Sequence, residues 1–282
     1  MNTKAIAKIL QKEPGFRFKQ IKKAVFGDLI ENWDEATTLP LVLREKLQAD
    51  CPLSELEAKK TLTSKDGDTL KVLFLTKDGS KIESVLMKHI DERNTVCVSS
   101  QVGCSVGCQF CATGELGFKR NLSDSEIVDQ VLYFARLLKK DGIKVTNVVF
   151  MGMGEPFLNY ENVLKAIKIL NDKDGFNLGA RHISVSTVGI VEGIRKFTEA
   201  DLQVNLAISL HAPDNVLRSK LVPLNKTYPI EKVLAAVDSY IQKTKRRVMF
   251  EYLMIDGVND GEKQALSLAK LLKKPLYFLN LI

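Results

Sequence analysis

Four of the chain's five cysteines fall between positions 97 and 111, in CVSSQVGCSVGCQFC. Cys104, Cys108 and Cys111 form C-x3-C-x2-C in a stretch rich in Gly and Ser. Three thiolates can ligate three irons of a cubane [4Fe-4S] cluster, leaving the fourth iron open to a small molecule. An open coordination position signals chemistry more than structure, as it does at zinc. The competing reading is a structural zinc site completed by His89, His182 or His211, the chain's three histidines. A zinc ribbon offers a second paired knuckle, and the sequence has none. Phe110 stands ready to shield a cluster, or simply to pack in a core. Cys97 lies seven residues before Cys104, outside ligand spacing. Taken alone it reads as a small buried hydrophobe in a strand.

The compartment bears on that chemistry. No run of eighteen apolar residues occurs, and MNTKAIAKILQKEPGF has no apolar signal core, so neither a membrane span nor a secretory leader is indicated. A cytoplasmic location is the default, and in a reducing cytosol clustered cysteines serve metal or redox chemistry before disulfides. The formal charge is +7. Residues 1–23 carry seven basic residues (Lys4, Lys8, Lys12, Arg17, Lys19, Lys22 and Lys23) against Glu13, whereas residues 24–56 are net acidic. Such a basic segment suits a polyanion such as RNA, or is a solvated helix face. The cluster Lys243, Lys245, Arg246 and Arg247 has the same two readings.

The elements that must position these residues alternate over most of the chain. Six apolar strand runs follow Asn94: TVCVSS, VTNVVFMG, HISVSTVG, VNLAISLHA, VMFEYLMI and LYFLNLI. Amphipathic helices separate them, among them SDSEIVDQVLYFARLLKK, opened by a capping box of Ser123 and Glu126, and PIEKVLAAVDSYIQKT, with Pro229 expected in its first turn. This alternation predicts right-handed βαβ units and a parallel sheet. Six units fit a partial barrel, and α/β barrels place chemistry at the C-terminal ends of strands, where the cysteine loop follows the first strand. Residues 1–55 read as a small helical domain, 56–92 as a β-hairpin linker turning at Asp78-Gly79, and 93–282 as the α/β core.

With these motifs in place, the C-x3-C-x2-C loop opening a partial barrel resembles the radical S-adenosylmethionine (SAM) superfamily. CVSSQVGC, FCATGELGFKRNL, MGMGEP, STVG, ISLHAP and LVPLNKTY resemble, within it, the RlmN and Cfr-type RNA methyltransferases. RFKQI, WDEATTLP and LREKL extend that likeness into the helical part, as an RNA-binding accessory domain. The fold this implies is a partial (β/α)6 radical SAM barrel. Cys104, Cys108 and Cys111 then ligate the cluster, whose open iron binds SAM, and one-electron reduction gives a 5′-deoxyadenosyl radical. The resemblance maps SAM contacts onto Gly154, Glu155, Ser186, Ser209, Leu210, His211 and Asn280, all near strand ends. Gly154 would let the backbone approach a ligand, and Glu155 would accept a hydrogen bond from the SAM ammonium.

The resemblance also gives Cys97 a role. A partner thiol carries a methyl group to carbon 2 of adenine, and Cys97 takes the proton from that carbon and resolves the adduct as a disulfide. A cationic neighbourhood lowering its pKa would suit this. Glu83 matches a carboxylate proposed as proton acceptor, though strand alternation also lets it face solvent. Cys51 has no counterpart and reads as structural.

The implied activity is methylation of carbon 2 of an adenosine in 23S rRNA, in the peptidyl-transferase region, and of the adenosine next to the tRNA anticodon, with two SAM molecules per turnover. A one-electron donor such as flavodoxin or ferredoxin is implied, and a monomer is expected. Methylation at carbon 8, as in Cfr relatives, and an inactive RNA-binding fragment are the alternatives. The family's methyl-carrying cysteine lies beyond the sixth strand, and no cysteine follows Cys111. The expectation is therefore that the chain is a piece of a longer product.

Overall fold

A computed structural model describes residues 3–282; the side chains of Lys4 and Lys12, counted in the basic N-terminal segment, lie outside the described residues. In chain order the first elements are α1 (Thr3–Ile9), α2 (Phe16–Lys22), α3 (Leu41–Asp50), β1 (Leu56–Thr63), β2 (Thr69–Thr76), β3 (Lys81–Lys88), β4 (Asn94–Cys97) and β5 (Gln101–Gly103). Next come α4 (Ala112–Glu115), β6 (Phe118–Asn121), α5 (Asp124–Lys139), β7 (Asn147–Phe150), α6 (Tyr160–Asn171), β8 (Ile183–Thr187) and α7 (Val191–Glu199). The last are β9 (Asn205–Ser209), α8 (Asn215–Leu221), α9 (Ile230–Thr244), β10 (Val248–Tyr252), α10 (Glu262–Leu271) and β11 (Tyr277–Leu281). The chain divides into two compact units.

The first unit comprises residues 1–99, 122–152 and 161–182. Its three leading helices close on buried Ile6, Ile21, Trp33 and Leu47, and the Trp33 indole N–H donates to the Cys51 carbonyl at 2.7 Å. Cys51 is buried there, as a structural cysteine would be. Strands β1, β2 and β3 form an antiparallel meander, β4 adds antiparallel to β3, and β7 joins β4 in parallel. Two strands were expected between positions 56 and 92; β1 is a third. Its LEAKKTLT carries charges on both faces and is almost wholly exposed, so it has no apolar alternation to read. Helix α5 begins as its capping box requires: Ser123 Oγ accepts from the Glu126 N–H at 3.1 Å, and the Glu126 carboxylate accepts from the Ser123 N–H at 2.9 Å.

The second unit comprises residues 100–121, 153–160 and 183–282. Strands β8, β9, β10 and β11 pair in parallel, as the βαβ pattern predicts. Val185, Leu206, Ile208, Val248 and Phe250 are fully buried, which explains why β8, β9 and β10 read as continuous apolar runs; β11 is as apolar but half-exposed to exposed. Strands β5 and β6 form a small antiparallel pair that the sequence reading missed, because three or four residues are too few to show a period. Pro229 sits one position before helix α9, as its N-cap in extended conformation, and not inside the first turn.

Candidate active site

The cysteine loop leaves β5 through Gly103, whose φ is +74°. A Cβ there would stand 1.7 Å from the Gly117 carbonyl oxygen, so only glycine allows the β5 and β6 ends to meet. The Cys104 N–H then donates to that same Gly117 carbonyl at 2.9 Å. The Cys111 N–H donates to the Cys108 carbonyl at 3.1 Å, and the Gln109 N–H to the Leu221 carbonyl at 2.9 Å. Cys104, Cys108 and Phe110 pack on buried Val106, Ala212, Leu221 and Val222. The loop is thus pinned at both ends and in its middle.

Burial, reinforced by repulsion from Glu155 and Cys111, raises the Cys104 thiol; the same causes together with Cys104 push Cys108 to about 12. Arg218 opposes the shift of Cys108. Among the described residues no group of three or more His, Cys, Asp and Glu side chains is gathered as ligands of a single ion. What the structure supplies is three soft, half-buried donors whose thiolates would repel one another, and cationic metal bound among them would offset that repulsion and hold them as thiolates. The donor set therefore fits an iron–sulfur cluster.

The strand ends of the same unit carry the remaining expected contacts. Ser186 is buried and its Oγ lies 3.1 Å from Ser209 Oγ. Leu210 and His211 follow β9, both buried, with His211 at φ +56°. His211 Nδ1 accepts the Leu253 N–H at 3.0 Å, and burial lowers its pKa to about 4, so the ring is neutral with its proton on Nε2. The Phe110 ring packs edge-on against it at 4.7 Å, the packing role of the two readings given above. Asn280 pairs in register with Glu251 and donates from Nδ2 to its carboxylate at 2.6 Å.

Gly154 and Glu155 both carry contacts within the protein. Gly154 has φ +97°, and a Cβ there would fall 2.5 Å from the Gln101 Cβ, so its missing side chain makes room for protein. Glu155 is 3% exposed. Its N–H donates to Gln101 Oε1 at 2.8 Å, and its carboxylate accepts the Phe157 N–H at 3.0 Å and the Val188 N–H at 2.9 Å. Desolvation holds it up at about 7 against those hydrogen bonds. It secures the start of a short helical turn, with acceptor capacity left for a ligand.

Sequence reasoning missed three side chains here. Gln101 sits between Glu155 and Asn121; Asn259 Nδ2 donates to the carbonyls of His211 at 2.8 Å and Leu253 at 2.7 Å; Arg218 is buried beneath the strand ends. The turn residues of DGVND are the one local signal that could have found Asn259.

Cys97 and Glu83 belong to the first unit. Cys97 ends β4, opposite Val85 and Val149, and its carbonyl accepts Ser84 Oγ at 2.6 Å. Burial raises its thiol to about 11, opposed only by the Met151 backbone, so the expected cationic neighbourhood is replaced by a desolvated, protonated thiol. Glu83 faces outward on β3 and pairs with Lys71 at 3.2 Å, in line with the solvent-facing alternative.

Residues 98–269 match the family model of the radical SAM superfamily. A curated relative from Chloroflexus aurantiacus, described as "Probable dual-specificity RNA methyltransferase RlmN", is 47% identical across all of this chain and 78% of its own length. One of the same description from Dictyoglomus thermophilum is 49% identical over 96% of this chain and 77% of its own. The crystal structure of a radical SAM methyltransferase from Sphaerobacter thermophilus superposes with a TM-score of 0.94 at 47% identity, covering 98% of this chain and 81% of that one. The chain belongs to the radical SAM superfamily and, within it, to the RlmN family of RNA methyltransferases. It follows that a [4Fe-4S] cluster and SAM are its cofactors and RNA its substrate, on the α/β fold that the sequence indicated. Among the described residues no helix is long and apolar enough to cross a membrane.

Proposed function

We propose that this chain methylates carbon 2 of adenosine in 23S rRNA, in the peptidyl-transferase region, and of the adenosine beside the tRNA anticodon, using two SAM molecules per turnover. One observation carries most of the reading: all ten residues expected to meet the cluster or SAM lie in one compact unit, in the cysteine loop or near strand ends. The relatives' shared description as dual-specificity RNA methyltransferases supports two RNA substrates. Carbon 2 of adenine is electron-poor, so ordinary transfer of a methyl cation fails and radical chemistry answers the need. Bound by Cys104, Cys108 and Cys111, a [4Fe-4S] cluster supplies the one-electron cleavage of SAM.

The chain's own residues bind and orient. Gly154, Ser186, Ser209, Leu210 and Asn280 present polar and backbone groups to SAM, Glu155 offers its spare acceptor sites, and neutral His211 presents Nε2–H as a donor. An adenine extruded from single-stranded RNA is the form that reaches such a site. Cys97 removes the carbon-2 proton and resolves the covalent adduct with a methyl-carrying thiol that residues 1–282 do not themselves supply. Since burial keeps Cys97 protonated in the free protein, its thiolate forms only in the assembled substrate complex. Glu83, if it accepts a proton, must first leave Lys71. Residues 1–55 serve as the RNA-binding accessory domain, 56–92 as the linker and 93–282 as the catalytic core. The enzyme acts in the cytoplasm as a monomer, reduced by a flavodoxin or ferredoxin.

The test is anaerobic reconstitution with iron and sulfide, with a cysteine-bearing methyl carrier present, followed by nucleoside mass spectrometry of treated 23S rRNA and tRNA. 2-Methyladenosine in both RNAs is expected. 8-Methyladenosine would replace this reading with the carbon-8 chemistry, and SAM cleavage without RNA methylation would leave a cluster-binding chain without turnover.

A further inference from the structure

Arg218, in α8, is 1% exposed. Its Nε donates to the Leu210 carbonyl at 3.0 Å, Nη1 to Asn225 Oδ1 at 2.9 Å, and Nη2 to the carbonyls of Val188 at 2.6 Å and Ser209 at 3.0 Å. Four of the guanidinium's five N–H groups therefore meet neutral oxygens. Among the described residues no carboxylate forms an ion pair with it, and Cys108 is the one ionisable group that supports its charge. Buried charges are normally paired, because dipoles alone replace water poorly. A fold that keeps this cation buried and unpaired has an anion to place beside it.

The surroundings name that anion. Leu217 and Leu221, one residue before and three after Arg218, pack in the same cluster as Cys104, Cys108 and Phe110. The Leu221 carbonyl, at the end of α8, is the acceptor that pins the cysteine loop at Gln109. We propose that Arg218 is a positioning residue whose fixed charge balances the anionic assembly held by Cys104, Cys108 and Cys111 and raises its reduction potential. This rests on the ligand set proposed above. Three thiolates outweigh the charge of an oxidised [4Fe-4S] core, so the assembly is anionic. In the reductive step one electron passes from a low-potential donor, which is oxidised by one electron, and no bond forms or breaks. The added negative charge is stabilised by a buried cation at low dielectric, more so than the oxidised state.

The measurement is the cluster's midpoint potential, from redox titration of the anaerobically reconstituted protein followed by electron paramagnetic resonance. Arg218→Met should cut the reduced fraction at a fixed potential at least about tenfold, about 59 mV for one electron. Arg218→Lys, which keeps the charge but cannot span four acceptors, should recover more than half of that shift, although both variants melt at lower temperature. Asn225→Asp leaves the guanidinium in place and pairs it with a carboxylate; it should lower the potential in the same direction, and it decides the matter if Arg218→Met fails to fold. An unmoved potential in loaded Arg218→Met or Asn225→Asp protein, or equal shifts in the Met and Lys variants, would overturn the inference and leave Arg218 a structural tie. Iron content undiminished in Cys108→Ala would instead overturn the ligand set.

Discussion

Cys97 ends one strand of this α/β protein and Cys108 follows another, and both thiols are raised, to about 11 and about 12, but for different reasons. Cys97 is raised by burial alone, in a strand whose neighbours are backbone and apolar side chains. Cys108 is raised by burial and by three anionic neighbours, and is opposed by a buried arginine. The first environment is at rest with a neutral thiol. The second opposes ionisation also through neighbouring negative charge, which a bound cationic metal would offset. In the sequence, spacing sets Cys97 apart from the three clustered cysteines and the family resemblance gives it a reactive role; the structure adds that the two kinds of thiol sit in different electrostatic surroundings.

The largest effect that bears on this contrast is on methylation. Cys97→Ala should lower RNA methylation by about 10²-fold or more, the usual loss for a missing proton-transfer group, while SAM cleavage persists. Nucleoside mass spectrometry beside assay of 5′-deoxyadenosine checks both, and near-normal methylation would return Cys97 to a packing role. A second effect concerns reactivity at neutral pH. A shift from 9.0 to about 11 means about 100-fold less thiolate, so alkylation of Cys97 should be about 10² slower than that of a free thiol, by peptide mass mapping.

The cysteine loop breaks differently. Gly103→Ala must fit a Cβ against the Gly117 carbonyl as well as hold a left-handed φ. It should cost about 3 kcal/mol or more, strain alone accounting for about 1–3, and a chemical denaturation midpoint near the parent's would contradict the geometry. The smallest effect is that of His211. Its folded pKa, about 4, lies below the ordinary 6.5, so its contribution is present above pH 6.5 and lost as pH falls toward 4, to a limit of about 3 kcal/mol. His211→Gln should flatten that part of the stability–pH curve of the cluster-free protein, and identical curves would contradict a buried neutral imidazole.

Much of the fold was legible because strands such as β8, β9 and β10 are buried on both faces and so spell continuous apolar runs; all six expected strands are present, the exposed β11 among them. Helix α5 was legible from Ser123 and Glu126 because a capping box is local chemistry. Strand β1 was not, since an exposed edge strand has no apolar face to alternate. The three candidate cluster cysteines stand out by spacing, but the state of Cys97 does not, because desolvation depends on what the fold brings over it. Arg218 was the least legible of all. In NVLRSKL it looks like one more surface basic residue, and its four partners, at Val188, Ser209, Leu210 and Asn225, are spread over nearly forty residues of chain.

The central claim is that four neighbouring thiols divide into three ligands and one reactive group. Iron, sulfide and visible absorbance of the anaerobically reconstituted Cys104→Ala and Cys97→Ala proteins test it most directly. The account predicts loss of the cluster signal in Cys104→Ala and full iron and absorbance in Cys97→Ala. Full loading of Cys104→Ala, or a cluster lost with Cys97, would contradict it.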